Sequence, residues 1–285
     1  MAGNKKARLL ISLGRAEQVA AKLGSYSGLS ADLIKELEGW GTRIEEHIDS
    51  FSGPLDEIIT AIYGGHPTIM KTQKIVSWLN ADPNRYEELS ADTKAMLLKL
   101  SLENRITRED ATIPKIPANT FNDVLEALLE KEKNNPYRDN LIRQVIQLTP
   151  VNSAESRAVL SADIAERIIK LGDSRVVLNA LDHFDQAGYS TIARSIIENG
   201  SIEDIKDLAG KHSQGKLPGV DGDEIISMVQ SSGRDDSDLI VKSIAKRVAS
   251  IGTLKRLGLY DPKDYPQLPS APGTDPLLGS DDLSR

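Results

Sequence analysis

The residues able to do chemistry are few and scattered. The four histidines, His47, His66, His183 and His212, fall in four separate segments. A helical zinc site needs two imidazoles one turn apart with a carboxylate beside them, and no pair here has that spacing. Asp182-His183-Phe184-Asp185 sets a carboxylate next to an imidazole, but adjacent residues on a helix point apart, so His183 reads as a surface or internally satisfied histidine. Gly64-Gly65-His66-Pro67, followed by Met70-Lys71-Thr72, has the residue types of a phosphate loop. It lacks the glycine directly before lysine that lets the backbone wrap a phosphate. It reads instead as a turn that places Pro67 at the first position of a helix, where a missing N–H costs nothing. Gly219-Val220-Asp221-Gly222-Asp223-Glu224 and Asp235-Asp236-Ser237-Asp238 are acidic and hydrated, without the ligand spacing of a calcium loop. Both read as helix starts, with carboxylates at the positive end of the helix dipole. The chain has no cysteine, which removes thiol catalysis, thiolate metal sites and disulfides together. The expectation is a protein with no catalytic residues, no metal and no cofactor, and not an enzyme.

Charge offers two further candidates. The net charge of −7 argues against a surface that grips nucleic acid over its whole extent. Basic residues nevertheless cluster at Lys5, Lys6, Arg8 and Arg15, and again at Arg234, Lys242, Lys246, Arg247, Lys255 and Arg256. Lys242 and Lys246 lie one helical turn apart, so Lys242, Lys246 and Arg247 form the candidate contact face for phosphate. No aromatic residues interleave with them, and base stacking is not indicated. The second candidate is in the last stretch, where prolines 262, 266, 269, 272 and 276 exclude a helix. There Asp275, Leu277 and Leu278 make a small apolar spot in an acidic setting, a candidate docking peptide.

The elements that must position these residues are helices. Aromatic residues make up only 4% of the chain, while Ala, Leu and Ile are plentiful, and no segment alternates like a strand. The tetrapeptide LSAD occurs at 29–32, 89–92 and 160–163. In each copy the serine is a helix N-cap and the aspartate sits in the first turn. The spacings of 60 and 71 residues differ and the residues after each copy diverge, so LSAD reads as helix-start punctuation and not as a repeated unit. Asn152 with Glu155, and Ser201 with Asp204, have capping-box spacing, and Thr120 is placed to cap. Helices are predicted near 5–23, 31–49, 54–63, 67–80, 91–104, 120–133, 137–148, 153–159, 161–171, 174–186, 190–199, 202–209, 222–231 and 236–251. Ile164, Ile168 and Leu171 should form a buried face against Val176, Val177 and Leu181.

Short helices joined by short loops pack as antiparallel neighbours, and from about 137 onward they recur with the texture of an α-solenoid. The fold expected is all-α, a HEAT-like stack of short antiparallel helices with a disordered C-terminal tail. The proline-bearing connector around 112–118 suggests an N-terminal lobe at 1–112, a C-terminal stack at 119–258 and an acidic tail at 259–285. The basic start and short apolar run at 9–13 do not make a signal peptide, and no run approaches the ~18 apolar residues of a membrane span. A cytoplasmic location, or the interior of a particle, is expected, with no membrane insertion.

Two resemblances bear on function. Lys6-Ala7-Arg8-Leu9-Leu10-Ile11-Ser12-Leu13-Gly14, then Ala20-Ala21-Lys22-Leu23 and Leu29-Ser30, resembles the opening helices of the flagellar motor switch protein FliG family. That resemblance implies an all-α chain that builds a ring by protein–protein contact. The run from Ile164 to Val177 resembles HEAT-like repeats, which implies architecture alone. The leading expectation is a non-enzymatic scaffold or adaptor with protein partners, which as a candidate homo-oligomer would also contact its own copies. The alternative is a structural protein of a virus or phage particle that contacts nucleic acid through the basic helix. An enzyme with an unrecognised helical site comes third.

Overall fold

The computed structural model describes residues 2–38, 40, 43–63, 68–107, 112–148 and 160–264. Among them there is no strand, and fifteen α-helices carry the chain. The N-terminal six are α1 (Ala2–Ser12), α2 (Ala16–Ala20), α3 (Ile34–Glu38), α4 (Leu55–Tyr63), α5 (Ile69–Asn80) and α6 (Ala91–Thr107). The series continues with α7 (Phe121–Glu132), α8 (Arg138–Leu148), α9 (Ala162–Lys170), α10 (Ser174–Asn179) and α11 (Tyr189–Asn199). It ends with α12 (Ile202–Ser213), α13 (Gly222–Ser231), α14 (Ser237–Val248) and α15 (Ile251–Arg256).

Four predicted helices are broken, each for a local reason. The helix expected at 5–23 divides at Gly14, whose φ of 70° ends α1 and turns the chain into α2. The one at 31–49 yields only a 3-10 turn and the five residues of α3, followed by two more 3-10 turns, Ile44–Glu46 and Ile48–Ser50. The one at 174–186 stops at Asn179, after which 3-10 turns at Leu181–His183 and Gln186–Gly188 carry the chain into α11. The last, 236–251, breaks at extended Ala249, and Ser250 Oγ accepts the Thr253 N–H at 3.3 Å to begin α15. The helix and capping box expected at 152–159 lie outside the described residues.

LSAD is not uniform punctuation. Ser161 accepts from Ile164 N–H at 3.4 Å and Ser90 from Thr93 N–H at 3.2 Å, so both cap. Ser30 does not cap with its side chain. Its hydroxyl accepts from Arg8 Nη2 at 2.9 Å and donates to Asn4 Oδ1 at 3.2 Å, tying α1 to the loop. Thr120 also does not cap; its hydroxyl turns back to Pro117 O. Ser201 and Asp204 do form the reciprocal capping box.

The first and third LSAD leucines share a structural setting. Leu29 N–H donates to Ser50 O and Leu29 O accepts from Ser52 N–H; Leu160 N–H donates to His183 O and Leu160 O accepts from Asp185 N–H. Each is an isolated parallel bridge, Leu29 to Phe51 and Leu160 to Phe184, formed where a 3-10 turn ends. A helix comes after each phenylalanine, α4 in one case and α11 in the other. All four bridging side chains are buried. In both copies helical segments ending in a 3-10 turn lie between the bridging leucine and phenylalanine. The Leu89 copy lacks this arrangement, because Leu89 N–H bonds locally to Tyr86 O. The expectation that LSAD marks only helix starts is therefore corrected for two copies. The sequence signal was masked because the leucine-to-phenylalanine spacing differs by two residues between them.

Buried side chains from Ala7 to Leu254 form one hydrophobic cluster. The main helix contacts join helices that are successive or one apart in the chain, and none of the substantial ones joins an element before α6 to one after α7. Ile164 and Ile168 are buried and Leu171 partly so, with α9 packed on α10, which carries buried Val176 and Val177. Several ion pairs bridge the series, among them two with buried carboxylates. Lys99 on α6 meets Glu132 on α7 at 2.6 Å. Arg138, at the start of α8, donates through Nε to Asp173 in the α9–α10 turn at 2.9 Å.

The first residues of the expected tail, 259–264, make contacts with the body. Leu259 N–H bonds to Leu254 O, Lys255 lies 5.0 Å from the Tyr260 ring centroid, and Lys246 pairs with Asp264 at 2.6 Å. These contacts hold the chain on the body through the 3-10 turn Pro262–Asp264. Residues 265–285 lie outside the described residues, and with them the candidate docking residues Asp275, Leu277 and Leu278.

Candidate interaction surfaces

Among the described residues the histidines and carboxylates do not converge on a metal-holding group. His47 packs against Gly24, and His66, with the glycine-rich turn, lies outside the described residues. Burial holds the His183 imidazole below its ordinary pKa, against the pull of the Asp182 carboxylate, and its Nδ1 has no partner among the described residues. His212 places Nε2 3.1 Å from Val220 O. Among the described residues no group of three or more His, Cys, Asp or Glu side chains could hold a metal ion.

The acidic turns do structural work. Asp221 accepts from Asp223 N–H at 3.1 Å to start α13. Asp223 in turn accepts from Ser250 N–H at 2.8 Å and Ser250 Oγ at 2.7 Å, joining α13 to the start of α15. These bonds, led by the Ser250 hydroxyl, hold the Asp223 carboxyl below its usual range. Beside them Gly222 packs so tightly that a Cβ there would lie 1.8 Å from Val248 O.

Interior titratable groups are likewise committed to architecture. Lys94 is buried on α6, and burial lowers its pKa against the opposing charges of Asp123, Asp56 and Glu87 on the elements around it. Tyr63 is pushed up to about 12 by burial, with Glu45 nearby adding to the effect and the Thr72 hydroxyl opposing it. Asp173 is pushed up to about 6, first by burial and further by Asp139, although Arg138 pulls the other way.

The candidate basic face divides. Lys242, Lys246 and Arg247 are all exposed on α14, but Lys246 is engaged with Asp264. The rest of that cluster is used elsewhere. Arg234 grips Asp236 at 2.8 Å and donates to Ile197 O and Gly200 O, clamping the end of α11, while Arg256 bonds to Thr253.

Exposed apolar side chains are what sequence reasoning missed. Leu9 and Leu13 on the α1 face are 60% and 62% exposed, where the sequence shows only a short apolar run. Beside them lies a groove of about 900 Å³ between α1 and the α2 region. Leu10, Ala21 and Tyr26 contribute its apolar lining, with Lys6 and Lys22 among its polar residues. Ile69 and Met70 at the start of α5 and Trp40 beyond α3 are also exposed, and the Lys71–Glu38 ion pair ties α5 to α3. The signal available for the first was the i, i+4 spacing of Leu9 and Leu13 next to basic residues; for the second there was none, because α3 and α5 meet only in the fold.

No helix among the described residues is long and apolar enough to cross a membrane. The resemblances to the FliG family and to HEAT-like repeats rest on residues 6–30 and 164–177 alone, since no family model, no curated protein and no solved structure matches the chain.

Proposed function

We propose that the protein is a non-enzymatic helical scaffold or adaptor that works through protein–protein contact. The observation that carries this reading is the exposure of large apolar side chains at separate places along the stack. Leu9 on α1 and Leu13 just after it stand out, as do Trp40 beyond α3, Met70 on α5, Tyr137 before α8, Leu239 on α14 and Ile251 on α15. Contiguous apolar exposure rimmed by polar residues marks interaction sites, and Leu9 with Leu13, four positions apart beside Lys5 and Lys6, is the pair that groups by spacing. Contacts between helices that are successive or one apart in the chain support a HEAT-like, solenoid arrangement, in which successive pairs present such surfaces in a row. The two-lobe division at 1–112 and 119–258, a cytoplasmic setting and self-association belong to the same proposal.

Photo-crosslinking amino acids placed at positions 13, 40 and 70, with position 170 as a polar exposed control, test it in cells. Defined crosslinked proteins at positions 13, 40 and 70 that are absent at position 170 are the expected result. Crosslinking no different from position 170 would refute the scaffold reading.

The particle-protein alternative is favoured by one observation: Lys242 and Arg247 are exposed on α14 with no ion-pair partner among the described residues. It predicts nucleic-acid binding whose affinity falls steeply with salt and is lost in Lys242→Glu with Arg247→Glu.

A further inference from the structure

We infer that the groove between α1 and the α2 region receives an amphipathic helix of a partner protein, with carboxylates toward Lys6 and Lys22, in the place that α6 takes against α7 and α8. The inference rests on the scaffold reading and gives the kind of partner.

The chain carries one helix arrangement twice. Leu29 and Leu160 open the two bridged segments, 131 positions apart. The same interval separates Leu89, just before the Ser90 cap of α6, from Val220, just before the Asp221 cap of α13. Between these points α4 matches α11 and α5 matches α12, with Thr68 and Ser201 capping α5 and α12 through their hydroxyls. The packing matches too. α4 and α5 meet α6 as α11 and α12 meet α13, and α6 covers α7 as α13 covers α14.

α1 and α2 stand before the first bridged segment as α7 and α8 stand before the second. On α7, Asn122 Oδ1 accepts from Ser161 N–H at 3.1 Å, and Glu126, four positions on, pairs with Arg167. On α1, Asn4 Oδ1 accepts from the Ser30 hydroxyl at 3.2 Å, and Arg8, four positions on, pairs with Asp32 at 2.6 Å. Each helix thus clamps an LSAD serine, and each packs on the helix after it. Aligning Asn4 with Asn122 sets Lys6, Leu9, Leu10 and Leu13 against Val124, Ala127, Leu128 and Lys131.

What differs is the cover. α6 lies on both α7 and α8; Val124 and Leu128 are buried, Ala127 is partly so, and Lys131 pairs with Asp92 of α6 at 3.0 Å. Among the described residues the substantial helix contacts of α1 are with α2 alone. Leu9 and Leu13 are therefore mostly exposed, and Lys6 and Leu10 line the groove of about 900 Å³. The occupant that this pair of helices accepts elsewhere in the chain is a helix, and an apolar stripe at i, i+3 and i+4 meets Leu9, Leu10 and Leu13.

Charge sets the rest of its chemistry. Lys6 and Lys22 line the groove, Lys5 lies beside it, and none of the three has an ion-pair partner among the described residues. Glu17 is the one acid in the lining. In the same alignment Lys5 replaces Asp123, one of the carboxylates around Lys94 of α6. A helix seated on α1 thus needs acids where α6 carries lysines.

Two fluorescent peptides test this on the full chain by anisotropy: residues 89–107 as they stand, and the same segment with Lys94→Glu and Lys99→Glu, which reverses the lysines that meet carboxylates of α7. The acidic peptide should bind saturably and about tenfold more tightly than the native one. Lys6→Glu with Lys22→Glu in the protein should invert that preference, and Leu9→Ser with Leu13→Ser should weaken both peptides about tenfold. All four positions are exposed, and circular dichroism establishes folding; a misfolded charge variant is replaced by Lys22→Glu alone. In cells, mass spectrometry of the adduct formed by a photo-crosslinker at position 13 should map to a partner segment with an apolar stripe flanked by Asp or Glu.

Absent or equal binding of the two peptides would overturn the acidic helix as occupant. An adduct within the mass of one chain would assign the groove to the chain's own tail, and one at twice that mass to a second copy; either overturns the partner. Co-sedimentation with phosphatidylserine vesicles, lost in the charge variant while neither peptide binds, would make an anionic lipid surface the occupant instead. In each of these outcomes the scaffold reading is decided separately, by whether positions 40 and 70 crosslink to other proteins.

Discussion

Replacing Arg138 by alanine should destabilise the protein by about 3–5 kcal/mol, because it strands a buried carboxylate. The Arg138 guanidinium makes three bonds at once: Nε to Asp173 at 2.9 Å, Nη1 to Lys133 O at 2.7 Å and Nη2 to Leu171 O at 2.8 Å. The side chain of Asp173 is only 3% exposed, so water cannot replace what the arginine supplied. The loss also has a pH signature. Asp173 already binds its proton too tightly in the folded state, with a pKa of about 6 against 3.8 for the ordinary group. A carboxyl with a raised folded pKa removes stability as pH climbs from the ordinary value through the folded one. Without Arg138 the folded pKa rises further, and the penalty extends to higher pH. Urea denaturation of wild type and Arg138→Ala at pH 5 and pH 8 measures both effects. The variant should lose more at pH 8 than at pH 5, and Arg138→Ala with Asp173→Asn should recover part of the loss and flatten its pH dependence. A loss under 1 kcal/mol, equal at the two pH values, would refute the view that burial of Asp173 dominates this site.

Three further outcomes are expected. Ile168→Ala empties a fully buried position between α9 and its neighbours and should cost about 2–5 kcal/mol, while Lys170→Ala on the exposed side of the same helix should cost less than 0.5 kcal/mol in thermal unfolding. Gly222→Ala drives a methyl group onto Val248 O and should lower the melting temperature more than Gly252→Ala, which meets only the Ser250 hydroxyl at 3.7 Å. Burial lowers the folded pKa of His183 below its ordinary 6.5, so stability should fall as pH drops below 6.5 and the unfolded chain takes up the proton more readily, and His183→Gln should remove that component from urea midpoints compared at pH 7.5 and 5.5.

Much of the helical framework was legible from local signals. Ser201 with Asp204, Ser161 and Ser90 mark helix starts because a hydroxyl or carboxylate satisfies N–H groups within three residues, and nothing distant is needed. Ile164 and Ile168 are buried because the period of an isolated helix already sets them on one face. Failures came where a distant group competes for the same atoms. Ser30 could cap, but Arg8 and Asn4 take its hydroxyl. The chain at 174–186 has helical periodicity, yet it breaks so that Phe184 can pair with Leu160, 24 positions away.

The same division holds for the candidate surfaces. The sequence alone determined that no catalytic or metal constellation could be drawn from neighbouring residues, that the helices carry the chain, and that the tail combines leucines with carboxylates. Only the tertiary structure decided that Lys246 is held by Asp264 while Lys6 and Lys22, beside a groove, have no ion-pair partner among the described residues, and that Leu9 and Leu13 face outward. Helix formation is written in hydrogen bonds that close within four residues, whereas exposure and charge pairing depend on which faces other helices have covered.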